Sequence, residues 1–181
     1  MSELESVQRD RKGAATRFAF ADPPYLGCCK LYDHEHGDDG RCWDDPETHR
    51  QLFERLTGFD GWAYCATSPS LSVLLPLVPG PFRIAAWVKP FAAFKRNVRI
   101  AYTWEPVIFH PGRDSSKDGA PVGRDHLAAP ITMRRGFTGA KPAKFNRWVL
   151  DLMGYVEGDE LLDLYPGTGG MAETLRTAVL L

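Results

Sequence analysis

This 181-residue chain lacks the features that would place it among membrane, secreted or fibrous proteins. No apolar run approaches the length of about 20 residues that crosses a bilayer, and the sequence contains no internal repeat. Its four cysteines, Cys28, Cys29, Cys42 and Cys65, do not form the spaced pairs of a disulfide framework. No charged and then apolar leader is found at the amino terminus. We therefore expect a cytoplasmic protein with reduced thiols.

A strong net charge is also missing, since the formal total is −1. The charges are nevertheless unevenly distributed: residues 83–150 contain thirteen Lys and Arg but four Asp and Glu, whereas the rest of the chain contains nine and nineteen. Such an asymmetry is typical of a surface that binds phosphates, and the alternative is an ordinary solvated basic surface. Hydrophobic and charged fractions of 44% and 25% predict one globular domain.

One cluster of metal-ligating residue types is present, but its spacing is unfavourable for zinc. The cluster consists of Cys28, Cys29, His34, His36 and Cys42. Adjacent cysteines and an HxH pair differ from the ligand spacings of zinc sites. We therefore predict no metal site, and interpret this segment as a polar loop that orders over a target.

The most informative motif is Asp22-Pro23-Pro24-Tyr25, directly after the apolar residues 18–21. A buried strand that ends in this motif places a carboxylate, a carbonyl and an aromatic ring where open α/β sheets bind ligands. Asp22 and the carbonyl of Pro23 can each accept an N–H from an exocyclic amino group, and Tyr25 can stack on the base. The alternative is a Pro-Pro turn, with Asp as a turn former and Tyr in the core.

A second motif near the carboxyl terminus has the pattern of a strand, a glycine-rich turn and a helix. The apolar residues 160–165 precede Pro166-Gly167-Thr168-Gly169-Gly170, and the amphipathic residues 171–181 follow. Glycines allow positive φ and close approach of a ligand, and the free N–H groups of the helix can face a carboxylate or a ribose. Alone, this pattern fits many nucleotide binders and also an ordinary βα turn.

Together the two motifs resemble those of the DNA amino-methyltransferases that use S-adenosylmethionine (SAM) and act on adenine N6 or cytosine N4. That family has one strand ending in Asp-Pro-Pro-Tyr and another ending in Asp-x-x-x-Gly-x-Gly, which holds the cofactor. Here the Asp-Pro-Pro-Tyr motif comes first, as in the permuted class. Lys141-Pro142 opens a helix ahead of the cofactor strand, as in that class. The resemblance covers most of the chain.

The resemblance implies methyl transfer from SAM to an exocyclic amino group of a DNA base, and Asp22 favours adenine N6 over cytosine N4. Catalytic roles are implied for Asp22, Pro23, Pro24 and Tyr25. Cofactor contacts are implied for Lys141, Asp163, Tyr165, Pro166, Gly167, Thr168 and Gly169. Two alternatives stay open: an RNA adenine-N6 methyltransferase, in which Trp more often replaces Tyr25, and an inactive relative that binds nucleic acid.

The sequence departs from the family after the cofactor motif. Family members continue into two more strands, the first of which ends in an acid that holds the cofactor ribose, whereas this chain ends at Leu181. We therefore expect strand 160–165 at or near an exposed edge of the sheet. A second copy or another protein could cover that edge, or the cofactor site could be partial.

The alternation of strands and helices predicts an α/β fold class, with a mostly parallel sheet and helices on both faces. The resemblance implies that this is a Rossmann-like methyltransferase sheet with a reduced number of strands. Strands are predicted at 17–22, 61–67, 82–88, 99–110 and 160–165, and helices at 45–57, 69–77, 142–153 and 171–181. Residues 1–15 are predicted to form a flexible tail. The interval 111–140 is predicted to be a long loop, which in the family is the target-recognition region. Richness in Ala, Gly, Pro and Arg is typical of a GC-rich bacterial or phage genome.

Overall fold

The computed structural model describes residues 15–28, 42–91, 98–113, 122–132 and 140–178. The strands are β1 (Arg17–Ala21), β2 (Gly61–Cys65), β3 (Arg83–Val88), β4 (Trp104–His110), β5 (His126–Ala128) and β6 (Glu160–Asp163). The helices are α1 (Pro46–Leu56), α2 (Leu71–Leu74), α3 (Ala143–Met153) and α4 (Gly170–Ala178), and 3₁₀ turns at Ser68–Ser70 and Leu75–Leu77 flank α2. None of the helices in these ranges is long and apolar enough to span a membrane.

The six strands form one sheet in the order β5-β3-β4-β2-β1-β6. β4 runs antiparallel to β2 and β3, whereas β1 pairs in parallel with both β2 and β6. In this register Phe20 lies opposite Ala63 on one side and Asp163 on the other. The segments that follow β1 and β6 therefore begin side by side, where the carboxyl ends of these two parallel strands lie. Five of the six strands run in the same direction, so the sheet is mostly parallel.

The alternation of side chains along β1 divides the core between the two faces of the sheet. Phe18 and Phe20 pack with α3 and with Met171 of α4, whereas Ala19 and Ala21 pack with α1 and α2. These four side chains of β1 are at most 3% exposed, whereas the first residue of the strand, Arg17, is exposed. Because strands buried on both faces need helices on both sides, this arrangement confirms the predicted layering.

The ends of the two longest helices follow the signals in the sequence. Asp45 caps α1 by accepting the Glu47 N–H at 3.0 Å, and Pro46 occupies the first turn. α3 begins after Pro142 and ends at Gly154, whose φ of 79° is a left-handed conformation that favours glycine. The predicted helix boundaries are therefore confirmed to within one residue at these two helices.

The predicted edge position of the cofactor strand is confirmed. β6 pairs with β1, and within the described residues no second strand lies beside it. Leu162 of β6 is 44% exposed, and Val156, just before the strand, is 53% exposed. Within the described residues, one side of β6 therefore has no neighbouring strand, and two apolar side chains on or next to β6 are exposed.

Two predictions in the middle of the chain are wrong. β4 begins at Trp104 and not at Arg99, because residues 98–103 are mostly exposed and the ladder with β3 starts at the pair Val88–Trp104. The predicted long loop at 111–140 contains β5, which pairs in parallel with β3 and buries Leu127. A three-residue strand is too short for a period of two to be recognised in the sequence.

Candidate active site

The Asp22-Pro23-Pro24-Tyr25 motif forms a tight corner at the carboxyl end of β1, as predicted. Both prolines are buried, whereas Asp22 and Tyr25 are partly exposed. The backbone turns directly afterwards, where the Cys28 N–H donates to the Tyr25 carbonyl at 2.9 Å. Because proline fixes φ, the corner holds its acid and its aromatic ring in a restricted geometry.

The ammonium group of Lys141 lies directly on this corner. Its Nζ donates to both carboxylate oxygens of Asp22, at 2.9 and 2.8 Å, and lies 2.9 Å from the Tyr25 hydroxyl. The Lys141 side chain is only 9% exposed. Burial by itself lowers the pKa of Lys141, but the nearby carboxylates of Asp22 and Glu105 outweigh burial, so that the pKa is raised overall. Lys141 is therefore a buried, permanent cation beside Asp22.

A second carboxylate, Glu105, completes the cluster. Its Oε2 accepts the Tyr25 hydroxyl at 3.1 Å and lies 3.8 Å from Lys141 Nζ, while its Oε1 pairs with Lys89. The side chains of Lys89 and Glu105 are 17% and 18% exposed, so the pair is shielded from water. The site thus combines two cations and two carboxylates around one phenol; we call Asp22, Tyr25, Lys89, Glu105 and Lys141 the charge cluster.

Neither Glu105 nor Lys89 was predicted as a site residue. A usable signal was present, since Glu105 is an acid at the beginning of an otherwise apolar strand. A carboxylate in a buried strand requires a partner, and this one has Lys89 from the neighbouring strand end.

Aromatic rings surround the cations of the charge cluster. Lys141 Nζ lies 5.3 Å from the ring centroid of Tyr25 and 5.9 Å from those of Trp87 and Phe145. Lys89 Nζ lies 5.0 Å from the Trp87 centroid. Such distances allow cation–π attraction, which adds to the ion pairs in a poorly hydrated setting.

The glycine-rich turn follows β6 and lies beside the Asp22 corner, because the carboxyl ends of β1 and β6 are adjacent. Asp163 is partly buried, and its Oδ1 accepts the Tyr165 N–H at 3.1 Å. Burial raises the pKa of Asp163, and the negative charge of Asp22 adds to the increase. Gly167 and Gly169 have φ of 45° and 75°, and a Cβ placed on Gly169 would meet no atom within 4 Å. The backbone conformation of the turn therefore favours glycine, and among the described residues no atom fills the space above Gly169.

The three motifs singled out in the sequence come together in space. The Leu164 N–H donates to the Phe20 carbonyl at 2.9 Å, which joins the exit of β6 to β1. A Cβ on Gly170 would lie 3.8 Å from the Lys141 carbonyl. Asn146 of α3 donates to Thr174 of α4 at 3.1 Å. The Asp22 corner, the Lys141-Pro142 helix start and the glycine turn are thus neighbours.

Tyr165, a predicted cofactor contact, packs behind the turn against Trp43, with ring centroids 5.3 Å apart. Burial raises its pKa to about 12. Trp43 is in turn fixed by the buried His49, whose Nε2 lies 2.8 Å from the Trp43 carbonyl and whose Nδ1 lies 2.6 Å from the Tyr64 hydroxyl. Burial lowers the pKa of His49, so the neutral ring donates to Trp43 and accepts from Tyr64.

The basic stretch is only partly available to a ligand. Lys89 and Lys141 belong to the charge cluster, and Arg113 binds Asp159 at 2.7 Å and the Gly154 carbonyl at 2.9 Å. Five basic residues of this stretch are exposed: Arg83, Arg99, Arg124, Lys144 and Arg147. Five more lie outside the described residues: Lys95, Arg96, Lys117, Arg134 and Arg135.

The cysteine and histidine cluster considered for a metal falls largely outside the described residues. Cys29, His34 and His36 lie there, while Cys28 and Cys42 belong to the described part, where Cys28 is half-buried and Cys42 is exposed. Among the residues that the structure describes, no group of three or more His, Cys, Asp or Glu could hold a metal ion.

Comparison with known proteins gives a likeness of structure and not of sequence. No protein-family profile matches the chain, and no curated protein sequence matches it. Among solved structures, the chain is similar to M1.HpyAVI in the crystal structure of its complex with SAM, at 13% sequence identity and a TM-score of 0.55. The match covers 97% of this chain and 85% of that one. The shared fold confirms the predicted Rossmann-like methyltransferase sheet.

Proposed function

We propose that this protein is a SAM-dependent methyltransferase that modifies an exocyclic amino group of a DNA base, namely adenine N6. One observation carries the proposal: the Asp22 corner and the glycine turn after Asp163 lie side by side, with Lys141 between them. One motif suits a planar amino-bearing base and the other suits a nucleoside with a charged tail. The SAM complex of a protein with the same fold supports this choice of cofactor.

The residues at the turn fit SAM. Among the described residues, the space above Gly169 is open, so a ligand can approach the backbone of the turn closely. The Asp163 carboxylate lies where the turn begins. The backbone carbonyl of Lys141 lies near Gly170 at the end of the turn, while its ammonium group is a buried cation on Asp22. When bound, SAM supplies an electrophilic methyl group on a positively charged sulfur.

The chain's own residues have to orient the amino nitrogen and sharpen its nucleophilicity. Asp22 accepts one N–H of the target amino group, and the Pro23 carbonyl accepts the other. Two acceptors draw the nitrogen toward a tetrahedral shape and localise the lone pair that the ring otherwise delocalises. Tyr25 stacks on the base, and its hydroxyl is anchored by the charge cluster. Positioning and electrostatics therefore do the work, with no proton removed before attack.

A base inside a duplex has to leave the stack to reach this corner. Beside β4 the protein exposes Phe91 (71%) and Tyr102 (54%), side chains able to stack on bases. Tyr102 also lines an open cavity of about 440 Å³, together with Ser68, Val98, Arg99, Ile100, Ala101 and Trp104. Together with the exposed arginines, this surface supports DNA as the partner. Tyr25, in the place where RNA enzymes more often have Trp, supports DNA over RNA.

The open edge of β6 supports a further part of the proposal, a second copy or another protein that covers it. The exposed Leu162 and the unpaired strand edge are features that soluble folds usually shield. Light scattering with and without SAM and DNA tests this, and a monomer in every condition would contradict it.

The function is tested by incubating the protein with radiolabelled SAM and matched unmethylated DNA or RNA, followed by digestion and nucleoside analysis. We expect label in N6-methyldeoxyadenosine. Label in N4-methylcytosine or in RNA would show that the substrate is a different one from that proposed. Absence of transfer to any nucleic acid would favour a binding protein without activity.

A further inference from the structure

The acid that the proposed function needs as an acceptor is already engaged. Both oxygens of Asp22 bind Lys141 Nζ, at 2.9 and 2.8 Å, and Oδ1 lies 3.1 Å from the Tyr25 hydroxyl, whose one proton is shared with Glu105. A carboxylate has about four lone-pair positions and these contacts use up to three of them, so that an incoming N–H competes with the Lys141 ammonium. For Asp22 to hold a target amino group, Lys141 has to give up at least one of these oxygens.

Lys141 cannot simply lose its counter-ion, because its side chain is only 9% exposed. An uncompensated cation buried among the rings of Tyr25, Trp87 and Phe145 would carry a large desolvation cost. The next carboxylate is Glu105, whose Oε2 lies 3.8 Å from Nζ. A movement of about 1 Å would bring the pair to the usual distance of a charge-assisted hydrogen bond.

Glu105 is prepared for this exchange. Its Oε1 is held by Lys89, while Oε2 points toward Tyr25 and Lys141 and is shared with the Tyr25 hydroxyl. The Tyr25 hydroxyl contacts Asp22, Lys141 and Glu105, so the phenol joins both carboxylates to the cation.

We propose that Glu105 is a positioning residue that receives Lys141 when Asp22 turns to the target amino group. Lys141 exchanges Asp22 for Glu105, the cluster keeps its balance of two cations and two anions, and Asp22 becomes available to the base. This inference rests on the proposed function for its role in turnover. Whether either carboxylate alone can neutralise Lys141 is a property of the free protein and can be measured without a substrate.

The first test separates positioning from binding. In Glu105→Gln, we expect kcat to fall by about 100-fold, because Lys141 stays on Asp22, while the KM for SAM changes by less than about 3-fold. Glu47→Gln, an exposed acid on α1, serves as the matched control and should leave both constants unchanged. A loss that appears in the KM for SAM, or unchanged kinetics, would overturn the proposal.

The second test does not need activity, and it uses thermal unfolding of the free protein. Asp22→Asn alone should lower Tm slightly, since Glu105 still neutralises Lys141. Glu105→Gln alone should lower Tm more, since Lys89 loses its carboxylate, although Asp22 still neutralises Lys141. The double variant should lose about 8 °C more than the sum of the two, because it leaves Lys141 buried without a carboxylate. With Lys141→Met in the background, this excess should disappear.

Strictly additive Tm changes, or an excess that persists with Met at position 141, would show that Glu105 does not receive Lys141. If the double variant does not fold while the triple variant does, the exchange is supported in the same way. A wild-type protein without methyl transfer would refute the proposed function, while the thermal cycle would still decide the counter-ion exchange.

Discussion

The two halves of the candidate site differ in how many contacts hold their residues in place. The Asp22 corner lies between β2 and β6 in the sheet, with buried prolines, aromatic walls and two ion pairs that fix its polar groups. The Asp163 turn follows an edge strand and depends on glycine conformations above open space. We infer that the catalytic half is organised before any ligand binds, whereas the cofactor half gains much of its order from the ligand or from a protein that covers β6.

The largest expected effect is in the organised half. Asp22→Asn keeps the size of the side chain but presents an N–H₂ group where the target amino group needs an acceptor. We expect methyl transfer to fall by about 1,000-fold or more, with SAM affinity within about 3-fold of the wild type. Radiolabel transfer and calorimetry check the two halves separately. Asp125→Asn, an exposed acid next to Arg83, is the control, and an active Asp22→Asn would refute the role of the corner.

The second effect concerns the turn. Gly169→Ala places a side chain at φ of 75°, which costs about 1 kcal/mol of strain even though the space is open. We expect SAM affinity to fall by about 5-fold to 10-fold, because the turn relaxes to a conformation that no longer presents the same backbone groups. Gly123→Ala provides the control, since a Cβ there meets no atom within 4 Å and no positive φ is involved. Equal affinities in both variants would mean that the turn does not hold SAM.

A third effect depends on pH and tests the support behind the turn. His49 has a lowered pKa in the folded protein, so protonation favours the unfolded chain. Its contribution to stability is therefore complete above the ordinary value of 6.5 and is lost as pH falls below that value toward the folded pKa. We expect Tm to drop by about 2 to 4 °C between pH 7.5 and pH 5.5. His49→Gln should remove most of this dependence, and an unchanged slope would assign it to other groups.

The smallest effect is at the open edge. Leu162→Lys replaces an exposed apolar side chain, so unfolding of the single chain should change by no more than about 0.5 kcal/mol. If another copy covers β6, the same substitution should shift the mass measured by light scattering toward the monomer. Val73→Lys, on an exposed position of α2, is the matched control. An assembly that resists Leu162→Lys would show that β6 is not its interface.

The proximity of the Asp22 motif and the glycine-rich motif could be predicted, because both follow parallel strands. The motifs after β1 and β6 both follow an apolar run, and the carboxyl ends of parallel neighbours meet at one edge. The edge position of β6 was predictable as well, from the order of the strands in the family that the sequence resembles.

Glu105 escaped prediction because β4 runs in the opposite direction. In an antiparallel strand it is the first residues, and not the last, that lie at the edge where β1 ends, and the strand pattern does not reveal direction. The placement of Lys141 on Asp22 was equally hidden, because 119 residues separate the two positions and the contact depends on how α3 packs on the sheet. β5 was missed because its three residues pair only through tertiary structure.

A calorimetric titration of the purified protein with SAM tests the central claim most directly. The account predicts one site per chain with micromolar affinity, because the turn and Asp163 form the cofactor half of the site. The absence of detectable heat, with and without the DNA substrate, would contradict the claim that this chain binds SAM beside the Asp22 corner.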